Sequence, residues 1–277
     1  MKLGVSTGSW ITKEPFKVLR SLAQEFKHIE IMSEFPFSLR FFKDHLSDLK
    51  SLSKEFEVKF GIHAPFSCIN LGHPEEEHRK SSTKILIKNL DLLDKLDGEY
   101  VNFHVGFFRY VTKIFQEDKE VREMHLQRSL QELKKVVKHA ENLGLTVCIE
   151  TDRKESLFTE PEVFIKVFKE IPSDNFGLTL DTTHTYYAGQ EKLLLEFIDK
   201  FKNKLELIHI SDGKFEGDDY ITHLATGDGE VNWKNFFQKL KEVKFNKLIV
   251  IETFGSRPDY FKKTKDYLLK NFSDIFK

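Results

Sequence analysis

The feature that most constrains the fold is a regular alternation of short apolar runs with longer amphipathic runs along the 277 residues. Several short runs are apolar at nearly every position, which is typical of parallel strands covered on both faces. The longer runs have helical periodicity; residues 82–96, for example, place Leu86, Leu90 and Leu93 on one face. The predicted strands are residues 3–7, 28–32, 59–63, 100–105, 146–151, 177–182, 205–211 and 248–253.

Eight strands that alternate with helices over this length predict an α/β protein, a single (β/α)₈ barrel formed by one domain over residues 1–277. The alternative is a doubly wound open sheet, which commonly binds nucleotides through a glycine-rich turn after its first strand. No such turn follows residues 3–7. No linker, repeat or low-complexity segment divides the chain, so the barrel is the favoured architecture.

Charge and cysteine content narrow the classes of function. Lys and Arg number 43, Asp and Glu number 44, and the net charge of −1 provides no long-range attraction to nucleic acid, although a local basic rim would suffice. The two cysteines, Cys68 and Cys148, have no metal-binding or redox spacing, and no disulfide framework is expected. Because we find neither a signal peptide nor an apolar run of the roughly 18 residues that a membrane span needs, we expect a cytoplasmic protein.

Residues of metal-ligand type stand at the ends of six successive predicted strands. In a (β/α)₈ barrel the carboxyl ends of the strands meet at one mouth, where active sites are built. Several carboxylates buried together require bound positive charge, and histidines among them favour Zn²⁺ or Mn²⁺ over Mg²⁺ or Ca²⁺. The six residues are His63, His104, Glu150, Asp181, His209 and Glu252.

Two more histidines lie near the strand ends, and several other residues there are further candidates. His184 lies just past the sixth strand, and His223 lies in a long segment after the seventh that is predicted as a loop. For a single histidine, a surface or core position is the commoner explanation, and the joint pattern carries the metal hypothesis. The remaining candidates, with ordinary surface or packing roles as their alternatives, are Glu30 and Glu34 at the mouth, Phe66 as an exposed wedge, and Arg109, Tyr110, Lys214 and Arg257 as phosphate contacts.

From the third strand onward these motifs resemble the xylose-isomerase-like barrels, which include endonuclease IV and sugar-phosphate isomerases and epimerases. The first two strands are closer to the isomerase branch, where residues 4–10 read GVSTGSW and residues 29–31 read IEI. The segments similar to endonuclease IV are HAPFSCINLGHP at 63–74, NFHVG at 102–106, IET at 149–151, LDTTH at 180–184, HISDGK at 209–214 and IET at 251–253.

The resemblance implies between one and three Zn²⁺ or Mn²⁺ ions. A central metal would be held by Glu150, Asp181, His209 and Glu252. A second would use His63, His104 and the shared Glu150, and a third would use His184 and His223. One departure affects the third site: endonuclease IV has an Asp two residues before the histidine matched by His223, and this chain has Ile221 there. Asp219 is the candidate replacement.

Two functions follow, and the number of histidines places the first ahead. The first is a phosphodiester hydrolase resembling an abasic-site endonuclease, in which divalent cations activate water and stabilise the leaving oxygen. The alternative is a metal-dependent sugar or sugar-phosphate isomerase or epimerase, in which Glu150 and Glu252 move the proton. The expected substrate is abasic DNA or a small sugar, and the expected catalytic residues are Glu150, Glu252 and His184. A metal-binding barrel without catalytic activity ranks third.

Overall fold

Eight parallel strands form the barrel in the computed structural model, which describes residues 1–9, 14–106, 118–154, 156–253 and 259–276. The barrel strands are β1 (Lys2–Ser6), β2 (His28–Met32), β3 (Lys59–His63), β4 (Tyr100–Phe103), β5 (Thr146–Glu150), β6 (Phe176–Asp181), β7 (Leu205–Ile210) and β10 (Leu248–Ile251). They close in the order β1-β10-β7-β6-β5-β4-β3-β2, and every neighbouring pair is parallel. The predicted fold class is confirmed.

Helices cover the outer face of the barrel. They are α1 (Pro15–Glu25), α2 (Leu39–Asp44), α3 (Leu46–Phe56), α4 (Glu76–Lys95), α5 (Lys119–Leu143), α6 (Pro161–Glu170), α7 (Thr182–Lys200), α8 (Trp233–Glu242) and α9 (Tyr260–Phe272). The ends of α5 show how local sequence sets a helix: the Asp118 carboxylate accepts hydrogen bonds from two backbone N–H groups of its first turn, and Gly144 adopts φ 68° at its end. Within the described ranges, none of the helices combines the length and apolar character that crossing a bilayer requires.

The core has two parts, one between barrel and helices and one inside the barrel. The outer part contains many of the 27 phenylalanines, and rings such as Phe164 and Phe197 meet edge to face with centroids 5.4 Å apart. Burial of each such ring stabilises the fold by about 1.5–3 kcal/mol. Inside the barrel, Tyr100 packs with Leu207, Leu248 and Val250, and its ring fills the space left open by Gly61.

The segment after β7 is not the long loop that the sequence suggested. It forms an antiparallel hairpin of β8 (Asp212–Glu216) and β9 (Asp219–Leu224), and His223 lies on its second strand. The Asp212 carboxylate secures the hairpin because it accepts hydrogen bonds from the backbone N–H groups of Gly213, Gly227 and Val231 and from the Trp233 indole. The hairpin therefore holds His223 in a defined place beside the barrel mouth.

Candidate metal centre

The six strand-end residues converge at one mouth of the barrel. His63, Glu150 and Asp181 are the last residues of β3, β5 and β6, and His209 is the penultimate residue of β7. β4 and β10 end one residue before His104 and Glu252, so these two side chains stand just above the strands. All six are buried except His104, which is partly exposed. The convergence expected from strand-end placement is thus present.

Four of these side chains form a central cluster of Glu150, Asp181, His209 and Glu252. One ligand atom from each lies within 4.8 Å of the others. His209 Nδ1 is 2.8 Å from Glu252 Oε2 and 3.3 Å from Glu150 Oε1. Asp181 Oδ1 caps α7 by accepting from the backbone N–H of His184 at 2.6 Å, whereas Asp181 Oδ2 is buried without a hydrogen-bond partner among the described residues. The cap therefore leaves one carboxylate oxygen for a cation.

Glu30 on β2 holds His209 from the opposite side. Glu30 is fully buried, and its Oε2 is 3.0 Å from His209 Nε2. The solvated role considered for Glu30 is therefore wrong. Contact with a carboxylate at Nε2 directs Nδ1 toward the central cluster, as in the carboxylate–histidine pairs that support metal ligands. Glu34, by contrast, stays half-buried at the rim, where it accepts from the Ser67 backbone N–H at 2.9 Å.

His63 and His104 both approach the other oxygen of Glu150. His63 Nε2 is 3.2 Å and His104 Nε2 is 3.7 Å from Glu150 Oε2. Because a carbonyl oxygen only accepts, His63 Nδ1 donates to the Ala64 carbonyl at 2.8 Å, and its Nε2 faces Glu150. Asn102 donates to the same Glu150 oxygen. Glu150 thus lies between the central cluster and two further imidazoles, as a shared ligand requires.

A third group consists of Asp181, His184 and His223, whose ligand atoms also lie within 4.8 Å of one another. The ring centroids of His184 and His223 are 5.3 Å apart. Asp219, the predicted substitute for the carboxylate missing at Ile221, is exposed at the tight end of the hairpin opposite Glu216. It takes no part in the cluster, and that prediction is wrong.

Sequence reasoning missed a fourth group, His104, Asp152 and His184, which meets the same 4.8 Å limit. Asp152 lies two residues beyond Glu150, in the loop after β5, and it is buried. A charged residue directly after a predicted strand end was the available signal, and the strand-end pattern drew attention to Glu150 alone.

Protons and neighbouring imidazoles offset the negative charge of the carboxylates buried at the mouth. Burial raises the pKa of Glu252 to about 7, although the adjacent His209 opposes this shift. Burial acts in the same direction on Glu150, but His104 and His209 outweigh it and hold the pKa of Glu150 well below its usual value. Burial disfavours the charged form of His63, yet hydrogen bonding to Glu150 prevails and raises the pKa of His63 to about 9. A divalent cation would replace such protons.

A cavity of about 760 Å³ opens above these clusters, within the range of small-molecule sites. Phe66, 46% exposed, stands on its wall, and Arg153 contributes a cation. Lys214 pairs with Glu216 at 2.6 Å and does not line the cavity, while Arg109, Tyr110 and Arg257 lie outside the described residues. The cavity wall includes His63, His104, His184, His223, Asp152 and Glu252.

Comparisons with known proteins, like the motifs, point both to proteins named as endonucleases and to proteins named as sugar epimerases. The sequence profile of the family described as xylose isomerase-like TIM barrel matches residues 18–271. The chain belongs to this family. An uncharacterized protein of Methanocaldococcus jannaschii is 28% identical over 99% of this chain and 90% of its own length. A probable endonuclease 4 of Petrotoga mobilis is 24% identical over 80% of each chain.

Solved structures of xylose isomerase-like barrels extend the comparison. The crystal structure of a D-tagatose 3-epimerase-like protein superposes with a TM-score of 0.83 and 25% identity, covering 99% of this chain and 98% of the other. The IolI protein, solved with a bound zinc atom, superposes with a TM-score of 0.78 at 20% identity over 100% and 99% of the two chains. Relatives of both endonuclease and epimerase name therefore share this barrel.

Proposed function

We propose that this chain is a divalent-metal-dependent phosphodiester hydrolase, acting as one domain, with abasic DNA as its substrate. The observation that supports this most is the number of converging ligand side chains. Beyond the four residues of the central cluster, four more imidazoles from His63, His104, His184 and His223 line the same mouth. One ion cannot use them all, whereas phosphodiester hydrolysis commonly uses two or more metals that act together.

The residues fit Zn²⁺ or Mn²⁺. Imidazole nitrogens with carboxylate oxygens form the donor set that these ions accept, and Asp181 Oδ2 is buried without a hydrogen-bond partner among the described residues. When bound, the cations would polarise a phosphoryl oxygen and lower the pKa of water. Glu150 would be shared between neighbouring ligand groups, with Asn102 orienting its carboxylate.

Recognition of abasic DNA is supported by one relative and by two residues at the cavity wall. The Petrotoga mobilis relative carries the name of a probable endonuclease 4. Phe66 is exposed at the cavity wall, where an apolar side chain can replace an extruded nucleotide in the base stack, and Arg153 lies within reach of a phosphate in the cavity. With a net charge of −1, the chain would bind phosphate mainly through its metal centre and not through a basic groove.

The test is a single protein preparation, loaded with Zn²⁺ or Mn²⁺ and assayed on a duplex with one abasic site and on the matching intact duplex. We expect cleavage of the abasic duplex only, and loss of most turnover in His104→Ala. His139→Ala is the matched control, because His139 pairs with Asp91 on the helical layer, away from the mouth. One metal per chain, turnover of ketoses and no DNA cleavage would refute the hydrolase.

The second candidate is a sugar or sugar-phosphate epimerase or isomerase. The specific observation in its favour is the 25% identity and 0.83 TM-score with a D-tagatose 3-epimerase-like protein. Glu150 and Glu252 contact the same His209 nitrogen from two sides, so one carboxylate could take a proton from a bound sugar and the other return it. In an epimerase, His104→Ala should retain turnover of a ketose, whereas Glu252→Gln should abolish it.

A further inference from the structure

Asp152 is a buried carboxylate that the resemblance to endonuclease IV does not explain. It is 3% exposed, and its Oδ2 has no hydrogen-bond partner in the part of the chain that the structure describes. Its backbone N–H donates to the Phe158 carbonyl at 2.9 Å, which fixes the loop after β5. A buried carboxylate with an unsatisfied oxygen is unfavourable unless a cation or a donor compensates it.

Two imidazoles stand next to Asp152 without satisfying it. His104 Nδ1 is 3.7 Å from Asp152 Oδ1, which is too long for a hydrogen bond. Among the described residues, His104 Nδ1 has no hydrogen-bond partner. The rings of His104 and His184 are 5.5 Å apart, and one ligand atom from each of the three residues lies within 4.8 Å of the others. This spacing resembles a ligand set around an open centre.

The protonation of His184 is compatible with such a set. Its Nδ1 donates to the Thr151 carbonyl at 3.1 Å, so Nδ1 carries a hydrogen, and in the neutral ring the lone pair is on Nε2. A carbonyl that fixes the tautomer of a ligand histidine is the usual support for a metal site. His104, Asp152 and His184 therefore offer two nitrogen donors and one carboxylate oxygen.

We propose that His104, Asp152 and His184 bind a second divalent cation of the zinc type beside the central cluster. Asp152 then supplies the negative charge that is missing because Ile221 stands where endonuclease IV has an Asp. A neutral imidazole has one lone pair, so His104 cannot bind this cation and also join His63 at another ion. The chain would bind two metals, and the second would face the substrate cavity that all three ligands line.

The number of zinc ions bound per chain distinguishes the proposed site from the ligand set that the family resemblance implies. Protein equilibrated with buffered free Zn²⁺ is analysed for zinc per chain, for wild type, Asp152→Asn, His223→Ala and Asp219→Asn. We expect two zinc ions in wild type, His223→Ala and Asp219→Asn, and one in Asp152→Asn, which is isosteric. Asp219→Asn is the matched control, since Asp219 is the carboxylate first considered for the place of the missing Asp and is exposed on the hairpin.

A second measurement covers the case in which Asp152→Asn does not fold. Anomalous diffraction from zinc-loaded wild-type crystals should show a second peak with ligand distances of about 2.0–2.2 Å to Asp152 and the two histidines. Two zinc ions in Asp152→Asn, or loss of the second ion in His223→Ala alone, would overturn the site. The inference rests on the proposed metal dependence: wild type that binds no zinc would refute both, whereas an intact central ion with no effect of Asp152→Asn would refute only this site.

Discussion

The buried contact between Glu30 and His209 yields the sharpest test of how the central cluster is organised. Glu30 Oε2 is 3.0 Å from His209 Nε2, and both side chains are fully buried. In Glu30→Gln, the amide can turn its NH₂ group toward Nε2. That orientation favours the tautomer with hydrogen on Nδ1, which leaves Nδ1 without a lone pair for a cation at the central cluster.

The expected cost follows from what supporting residues contribute to metal sites. Substitution of such residues weakens metal binding by about 10–100-fold, which corresponds to about 1.4–2.7 kcal/mol. We expect the zinc dissociation constant of the central site to rise by this factor in Glu30→Gln. The loss should remain below that of His209→Ala, because Gln can still present its oxygen to Nε2.

The assay is competition with a chelator of known affinity, with thermal unfolding of the zinc-free proteins as a check of folding. Glu34→Gln is the control, because Glu34 follows the same strand but contacts only the rim through Ser67. A dissociation constant for Glu30→Gln within about twofold of wild type would refute the orienting role of Glu30.

Two further predictions concern protons and packing. Because Glu150 raises the pKa of His63 to about 9, this imidazole carries a proton at neutral pH in the metal-free protein. A cation held by Glu150 would repel that proton, so zinc affinity should rise as pH increases toward 9. Calorimetry in buffers of different ionisation enthalpy should detect the released protons, and affinity that is constant between about pH 6 and 8 would contradict this. Gly61→Ala would place a Cβ 2.4 Å from the Tyr100 ring and should lower the free energy of unfolding by about 1–3 kcal/mol. Denaturant titration measures this loss, and a Tyr100→Leu change in the same chain should recover part of it.

The sequence by itself determined the barrel and the end of it at which the candidate ligand side chains meet. Near-continuous apolar runs require cover on both faces, and in this order of strands and helices a closed parallel barrel provides it. Once the barrel is closed, the carboxyl ends of its strands must converge. Glu150, Asp181 and His209 could therefore be placed together before any coordinates were known.

Only the tertiary structure decided which other carboxylates lie beside these candidate ligands. Glu30 lies inside β2 between Ile29 and Ile31, and the sequence alone does not show which face of this strand points into the barrel. The positions of Asp152 and Asp219 depend on the loop after β5 and on the hairpin, whose conformations are set by contacts distant in sequence, such as Asp152 with Phe158 and Asp212 with Trp233. These contacts bring Asp152 to the candidate ligand histidines and direct Asp219 to solvent, because loop geometry follows long-range packing more than local propensity.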